Sequence, residues 1–140
     1  MDGIAVVALV LLASVAFGLW RKATEGRVRA VSAKSTETSP FASFGTTGER
    51  ATIVQFSAAV CAPCRAAKTI ASEVARTVPG VTHIEIPAEE NLELVQRFGI
   101  MRTPTILVLD GQGRLSARIV GVPRKDELII ALDDRRFEDL

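Results

Sequence analysis

The sequence predicts a three-layer α/β/α domain with a mixed β-sheet, preceded by one N-terminal transmembrane helix. Three observations carry this expectation: an uncharged apolar run from Gly3 to Trp20, an alternation of strand-like and helix-like periodicity from Ala51 onward, and a hairpin turn at Gly111-Gln112-Gly113 between two further apolar runs. A chain of 140 residues accommodates one compact domain and a short extra element, not a second core. The expected division is residues 1–22 as membrane anchor, 23–50 as linker with a possible edge strand, and 51–140 as the folded domain.

The first run, GIAVVALVLLASVAFGLW, carries no charge, and as a helix it covers about 27 Å, close to the hydrocarbon thickness of a bilayer. Trp20 closes it where an interfacial aromatic sits, and Arg21 and Lys22 follow at once. A buried core helix is the plainer alternative, but a wholly apolar segment with abrupt charged flanks suits a small soluble domain poorly. A cleaved signal peptide is the sharper rival, with Ser14-Val15-Ala16 as its cleavage site. The preceding Met1-Asp2 lacks the basic residues of a signal peptide, so an uncleaved anchor is expected. Arg21, Lys22, Arg27, Arg29 and Lys34 follow the span with Glu25 as the one acid among them, and no basic residue precedes it. Positive residues stay inside. The expected orientation in the cell membrane is therefore N-terminus out with the domain in the cytoplasm, an extracytoplasmic domain being the alternative.

From Arg21 to Arg50 the chain is rich in Ser, Thr, Gly and charge, with a short β-like run at Val28 to Val31 and a Ser/Thr cluster near Ser35 to Ser39. Ala51 to Ser57 then reads as a buried strand. Ala62 to Val78 places Ala67, Ile70, Ala71, Val74 and Val78 at helical spacing, and Pro79-Gly80 stops that helix. Val81 to Ile86 alternates as a strand, and Asn91 to Phe98 forms a short helix ended by Gly99. Pro104 to Asp110 and Arg114 to Val120 pair across the glycine turn. Pro123 opens a last helix through Leu132, with Leu128, Ile129 and Leu132 buried. The order βαβα then ββα places a crossover-linked parallel unit beside a hairpin in one sheet.

Composition excludes some functions. A net charge of +1 gives none of the basic field that nucleic-acid binding needs. The chain has two cysteines, both in Cys61-Ala62-Pro63-Cys64, too few for a disulfide framework and arranged as a reactive pair. Structural zinc would want four Cys or His ligands, and the chain offers these two and one distant histidine.

The pair has a physical rationale. Cys61 follows a buried strand and Cys64 falls in the first turn of the next helix, a spacing that brings their Cα atoms about 5 to 6 Å apart, within the span of a disulfide. Cys61 lies at the helix N-terminus, where unpaired N–H groups and the helix dipole favour thiolate, so it is the expected nucleophile. Cys64, deeper in the helix, is the expected resolving thiol. Pro63 loses no intrahelical bond in a first turn and stiffens the spacer.

In these residues, VQFSAAVCAPCRAAKTIASEVA resembles the active-site strand and helix of the thioredoxin family, and FGIMRTPTILVLDGQGR resembles the family's segment around its cis-proline. The likeness covers about Ala51 to Leu132. It implies a thioredoxin-like fold and a protein-disulfide oxidoreductase with no cofactor beyond the redox-active Cys61-Cys64 disulfide. Disulfide-containing protein substrates and a reductase or thiol electron donor would be its partners, beside the lipid bilayer. It further implies that Thr103-Pro104 is a cis peptide next to the cysteines, that the Thr103 backbone pairs with an extended substrate, and that Ala62, Pro63 and Gly121 border the same groove.

The sequence departs from the family in places. Val60 and Ala62 stand where thioredoxins usually carry Trp and Gly. Gln55 replaces the buried acid six residues before the nucleophile, and the usual neighbouring Lys aligns with His83. Gln cannot titrate, so it cannot accept the proton of the resolving thiol. His83 can substitute as base, because its pKa lies near neutrality, or be a strand histidine with no role, which is the plainer expectation. Arg65 and Lys68 read as the solvated face of an amphipathic helix. The competing function is a redox-inert thioredoxin-fold module that binds a partner at the membrane.

Overall fold

A computed structural model describes residues 2–24, 28–30 and 40–133. The expectations for Glu25, Arg27, Val31, Lys34, the Ser35 to Ser39 cluster and the tail beyond Asp133 lie outside the described residues.

Helix α1 spans Asp2–Thr24, and its stretch Gly3–Ala23 has a mean hydropathy of 2.4 with none of it buried against the rest of the molecule. It is apolar on every side, and its length and composition make it a candidate membrane span or signal sequence. The one hydroxyl within the run, Ser14 Oγ, donates to the Val10 carbonyl at 2.8 Å, so it carries no unmet hydrogen bond.

The domain is built on a five-stranded sheet in the order β1-β5-β4-β2-β3. Its strands are β1 (Val28–Ala30), β2 (Ala51–Ser57), β3 (Val81–Pro87), β4 (Thr105–Asp110) and β5 (Leu115–Val120). β2 and β3 run parallel, joined by α2 (Ala62–Thr77), and the other neighbours are antiparallel. Every residue of β2 is buried, which explains why its sequence, ATIVQFS, does not alternate between apolar and polar residues. Its side chains nonetheless alternate between two cores. Ala51 and Ile53 pack with Ala67, Ala71 and Val74 of α2 and with Leu128 of α4 (Lys125–Leu132). Val54 and Phe56 face Phe41, Ile100 and the partly buried Leu94, Val95 and Phe98, around α3 (Leu92–Arg97). The three-layer mixed-sheet architecture read from the sequence is thus present.

The differences are local and have causes. The edge strand is present as β1, which pairs with β5 through Val28 and Ile119. Phe41, in the stretch assigned to the linker, is only 1% exposed, lying edge-on to Phe56 at 6.3 Å and over Phe98 at 5.0 Å. β4 begins at Thr105, one residue after Pro104, which has no N–H to give to a ladder. α4 begins at Lys125, not at Pro123. Its buried face is Leu128, Ala131 and Leu132, spaced i, i+3, i+4, while Ile129 is 39% exposed. That corrects the expected face, which took adjacent apolar residues where helical spacing requires a stripe.

Candidate active site

The site forms where β2 ends and α2 begins. Cys61 caps α2 in an extended conformation, and its Sγ accepts the Cys64 backbone N–H at 3.2 Å. Pro63 sits in the first turn, where no intrahelical N–H is lost. The two sulfurs are joined as a disulfide with Cα atoms 5.2 Å apart. Cys64 is 3% exposed, and Cys61 is half-buried. Cys61 is thus the outer sulfur of the pair, at the N-terminus of α2 and within reach of the Cys64 N–H.

A second wall comes from the loop before β4. Thr103-Pro104 is a cis peptide, and Thr103 Oγ1 lies 3.9 Å from Cys61 Sγ. The Pro104 carbonyl accepts the Gly121 N–H at 2.8 Å, and Gly121 has φ 94°, a conformation that glycine adopts without the strain a side chain would add. Ala62, Pro63 and Val60 line the exposed rim, Val60 being 96% exposed. Met101, 92% exposed, stands on the same loop as Thr103, and a 270 Å³ hollow runs between them and Leu92, Val95 and Ile100. The proposed groove residues Thr103, Pro104 and Gly121 are thus in one place, and Met101 and Leu92 are additions that sequence spacing did not single out.

Behind Cys64 lies a set of polar groups. Gln55 is fully buried on the α2 side of β2. Its Nε2 donates to the Cys64 carbonyl at 2.9 Å and to Ser57 Oγ at 2.9 Å, and its Oε1 lies 3.2 Å from His83 Nε2. His83 Nδ1 in turn is 3.1 Å from Ser72 Oγ on α2. His83, read from the sequence as either a substitute base or a strand histidine with no role, thus bonds Gln55 directly. In the parallel register, however, the residue opposite Gln55 is Glu85, and His83 is opposite Ile53.

Glu85 and Lys68 were not singled out as a pair by the sequence, yet they form an ion pair at 2.6 Å. Lys68 and Ser72 are one turn apart on α2, and Glu85 and His83 are two residues apart on β3, so each pair occupies one face and the faces meet. Burial raises the Glu85 pKa, but hydrogen bonds from Lys68 and Ser57 more than offset this and leave it below the usual carboxylate value. Burial pushes the His83 pKa below its ordinary value, with Glu85 opposing and Lys68 assisting. A 440 Å³ cavity lined by Ser57, Cys61, Cys64, Lys68, Glu85 and Glu89 among others opens beside the disulfide. Arg65, expected as a solvated helix residue, lies on its edge and is exposed. Among the described residues, no three His, Cys, Asp or Glu side chains converge as metal ligands.

Residues 32–134 match the Thioredoxin family. The chain is similar to a thioredoxin of Alicyclobacillus acidocaldarius, 34% identical over 88 residues that cover 62% of this chain and 83% of that protein. It is also similar to a thioredoxin of Methanocaldococcus jannaschii, 35% identical over 81 residues that cover 57% of this chain and 89% of the relative. Among solved structures, thioredoxin NaTrxh of Nicotiana alata superposes with a TM-score of 0.56 at 27% identity, covering 74% of this chain and 98% of that one.

Proposed function

Because this chain belongs to the thioredoxin family, we propose that it is a membrane-anchored thiol-disulfide oxidoreductase that reduces or exchanges protein disulfides through Cys61 and Cys64. The observation that carries this reading is the pair itself: an outer sulfur on the N-cap of α2, three residues from a buried partner, beside Thr103 and cis-Pro104. The Cys61 thiolate attacks one sulfur of a substrate disulfide and releases the other as a thiolate. In the mixed disulfide that forms, Cys64, once deprotonated, attacks Cys61 Sγ. The Cys61–Cys64 bond forms, the bond from Cys61 to the substrate breaks, and the substrate leaves reduced by two electrons in all. A reductase or a small dithiol returns two electrons to the pair. The substrate backbone lies extended along Thr103, with Ala62, Pro63 and Gly121 at its borders.

The anchor is Gly3–Ala23, supported by its length, its hydropathy and the exposure of its residues among the described ones. With Arg21 and Lys22 at its C-terminal end, the orientation we propose is N-terminus out with the domain in the cytoplasm. There the reducing compartment favours a reductase. Two measurements test the reading. The pair should oxidise and reduce reversibly in a redox buffer and should reduce insulin with dithiothreitol as donor; a pair that does neither overturns the enzyme assignment. Protease added outside intact cells should leave the domain whole, and digestion from that side overturns the orientation.

A further inference from the structure

The acid expected behind a resolving thiol is missing, and a chain of neutral groups occupies its place. The identities of the partners fix the direction of each hydrogen bond that Gln55 makes in that chain. The Cys64 carbonyl can only accept, so the Gln55 atom 2.9 Å from it is the amide nitrogen. Gln55 Oε1 then faces His83, and because an amide oxygen can only accept, His83 Nε2 carries the proton. In the neutral ring Nδ1 is left with a lone pair, which accepts the Ser72 hydroxyl. The lowered His83 pKa favours that neutral ring. Both ring nitrogens are engaged, and the one facing the cysteines already bears hydrogen, with a whole amide between it and Cys64.

We propose that His83 is a positioning residue for the resolving step, and not its base. Its Nε2–H holds the Gln55 amide in the one orientation that aims both amide hydrogens at the Cys64 carbonyl and Ser57 Oγ. That clamp ties the first turn of α2 to the centre of the sheet and fixes the backbone that carries the Cys64 sulfur relative to Cys61. The Cys64 proton passes to solvent water in the open cavity lined by Ser57, Glu85 and Lys68, not along the Gln55–His83 chain. The groups facing His83 are Gln55 from β2, Glu85 on its own strand, and Lys68 and Ser72 from α2. A protonated ring would keep its Nε2–H on Gln55, with Ser72 Oγ turning to accept from Nδ1, so the clamp persists at lower pH.

The inference rests on the oxidoreductase reading for its kinetic test but has a second test that does not. In the full-length protein in detergent, the decay of a Cys61 mixed disulfide with thionitrobenzoate is followed by release of the coloured thiolate. His83→Leu removes the donor and leaves Gln55 Oε1 unpaired, and should slow the decay about tenfold, the kinetic equivalent of one lost hydrogen bond. His83→Gln places an amide N–H near the former Nε2 and should rescue the rate to within about twofold of the parent, with the pH profile unchanged. Equal slowing in both variants, with loss of a limb of the profile, would establish an acid-base role and overturn the proposal; so would unchanged rates in both. Independently of any activity, the imidazole nitrogen shifts should report the Nε2–H tautomer at neutral pH. An Nδ1–H tautomer would overturn the clamp even in a protein fully active in exchange, whereas an Nε2–H tautomer in a protein without exchange would support the clamp and overturn only the enzyme reading.

Discussion

Phe41 provides a quantitative test of how the domain is held together, because it belongs to a stretch that has neither strand nor helix periodicity. It is 1% exposed and touches two other rings, Phe56 from the central strand and Phe98 beside α3. Phe41→Ala removes a fully buried aromatic side chain, a change that costs about 3 to 5 kcal/mol when the surroundings cannot collapse. Collapse is limited here, since β2 fixes Phe56 and the end of α3 fixes Phe98. The two ring pairs contribute about 0.5 to 1.5 kcal/mol each within that total. With a urea m-value of about 1.5 kcal/mol/M for a domain of this size, a loss of about 3 kcal/mol lowers the unfolding midpoint by about 2 M. Helix α1 contributes no residue to either core, so the measurement uses the chain from Gly26 onward. Phe44→Ala is the control, because Phe44 is partly exposed and absent from both cores; its midpoint should fall by less than a third as much. A Phe41→Ala loss below about 0.5 kcal/mol would refute the reasoning, since that is the size of effect expected at an ordinary surface position.

Other expectations follow from the same geometry. His83 has its pKa below the ordinary 6.5 in the folded state, so the unfolded chain binds more protons there and stability rises with pH up to about 6.5. Denaturation at a series of pH values should show that slope, and His83→Gln should reduce it. Gln55→Glu places a carboxylate against His83 Nε2, in the position of an atom now 3.2 Å away, and should move the His83 pKa from below its ordinary value to above it; an imidazole titration by NMR checks the reversal. Leu11→Arg sets a charge in the middle of α1, costing about 2.5 to 3.5 kcal/mol of insertion free energy. The variant should leave the alkali-resistant membrane fraction where the parent protein stays.

The architecture was legible because periodicity carried it. β2 is buried on both faces because α2 and α4 cover one and Phe41 and α3 the other, and α2 shows its buried stripe at Ala67, Ala71 and Val74. The cysteines and Thr103-Pro104 were legible as short local patterns. What escaped is what depends on register. The parallel pairing of β2 with β3 sets Glu85 opposite Gln55, and Lys68 and Ser72 meet Glu85 and His83 only because α2 crosses β3 at that height. A sequence shows that Gln55 cannot titrate, but not that a histidine 28 residues later bonds its amide oxygen. Ile129 illustrates the same limit in a helix, since three adjacent apolar residues do not reveal which of them the stripe includes.

The central claim is that Cys61 attacks and Cys64 resolves. It is tested most directly by exposing the reduced Cys61→Ser and Cys64→Ser proteins to insulin and resolving the products on a non-reducing gel. The account predicts a stable, dithiothreitol-sensitive mixed disulfide with Cys64→Ser, whose remaining thiol is the outer sulfur on the α2 N-cap. It predicts none with Cys61→Ser, whose remaining thiol is 3% exposed in the parent fold. Adducts in Cys61→Ser alone, or in neither protein, would contradict it.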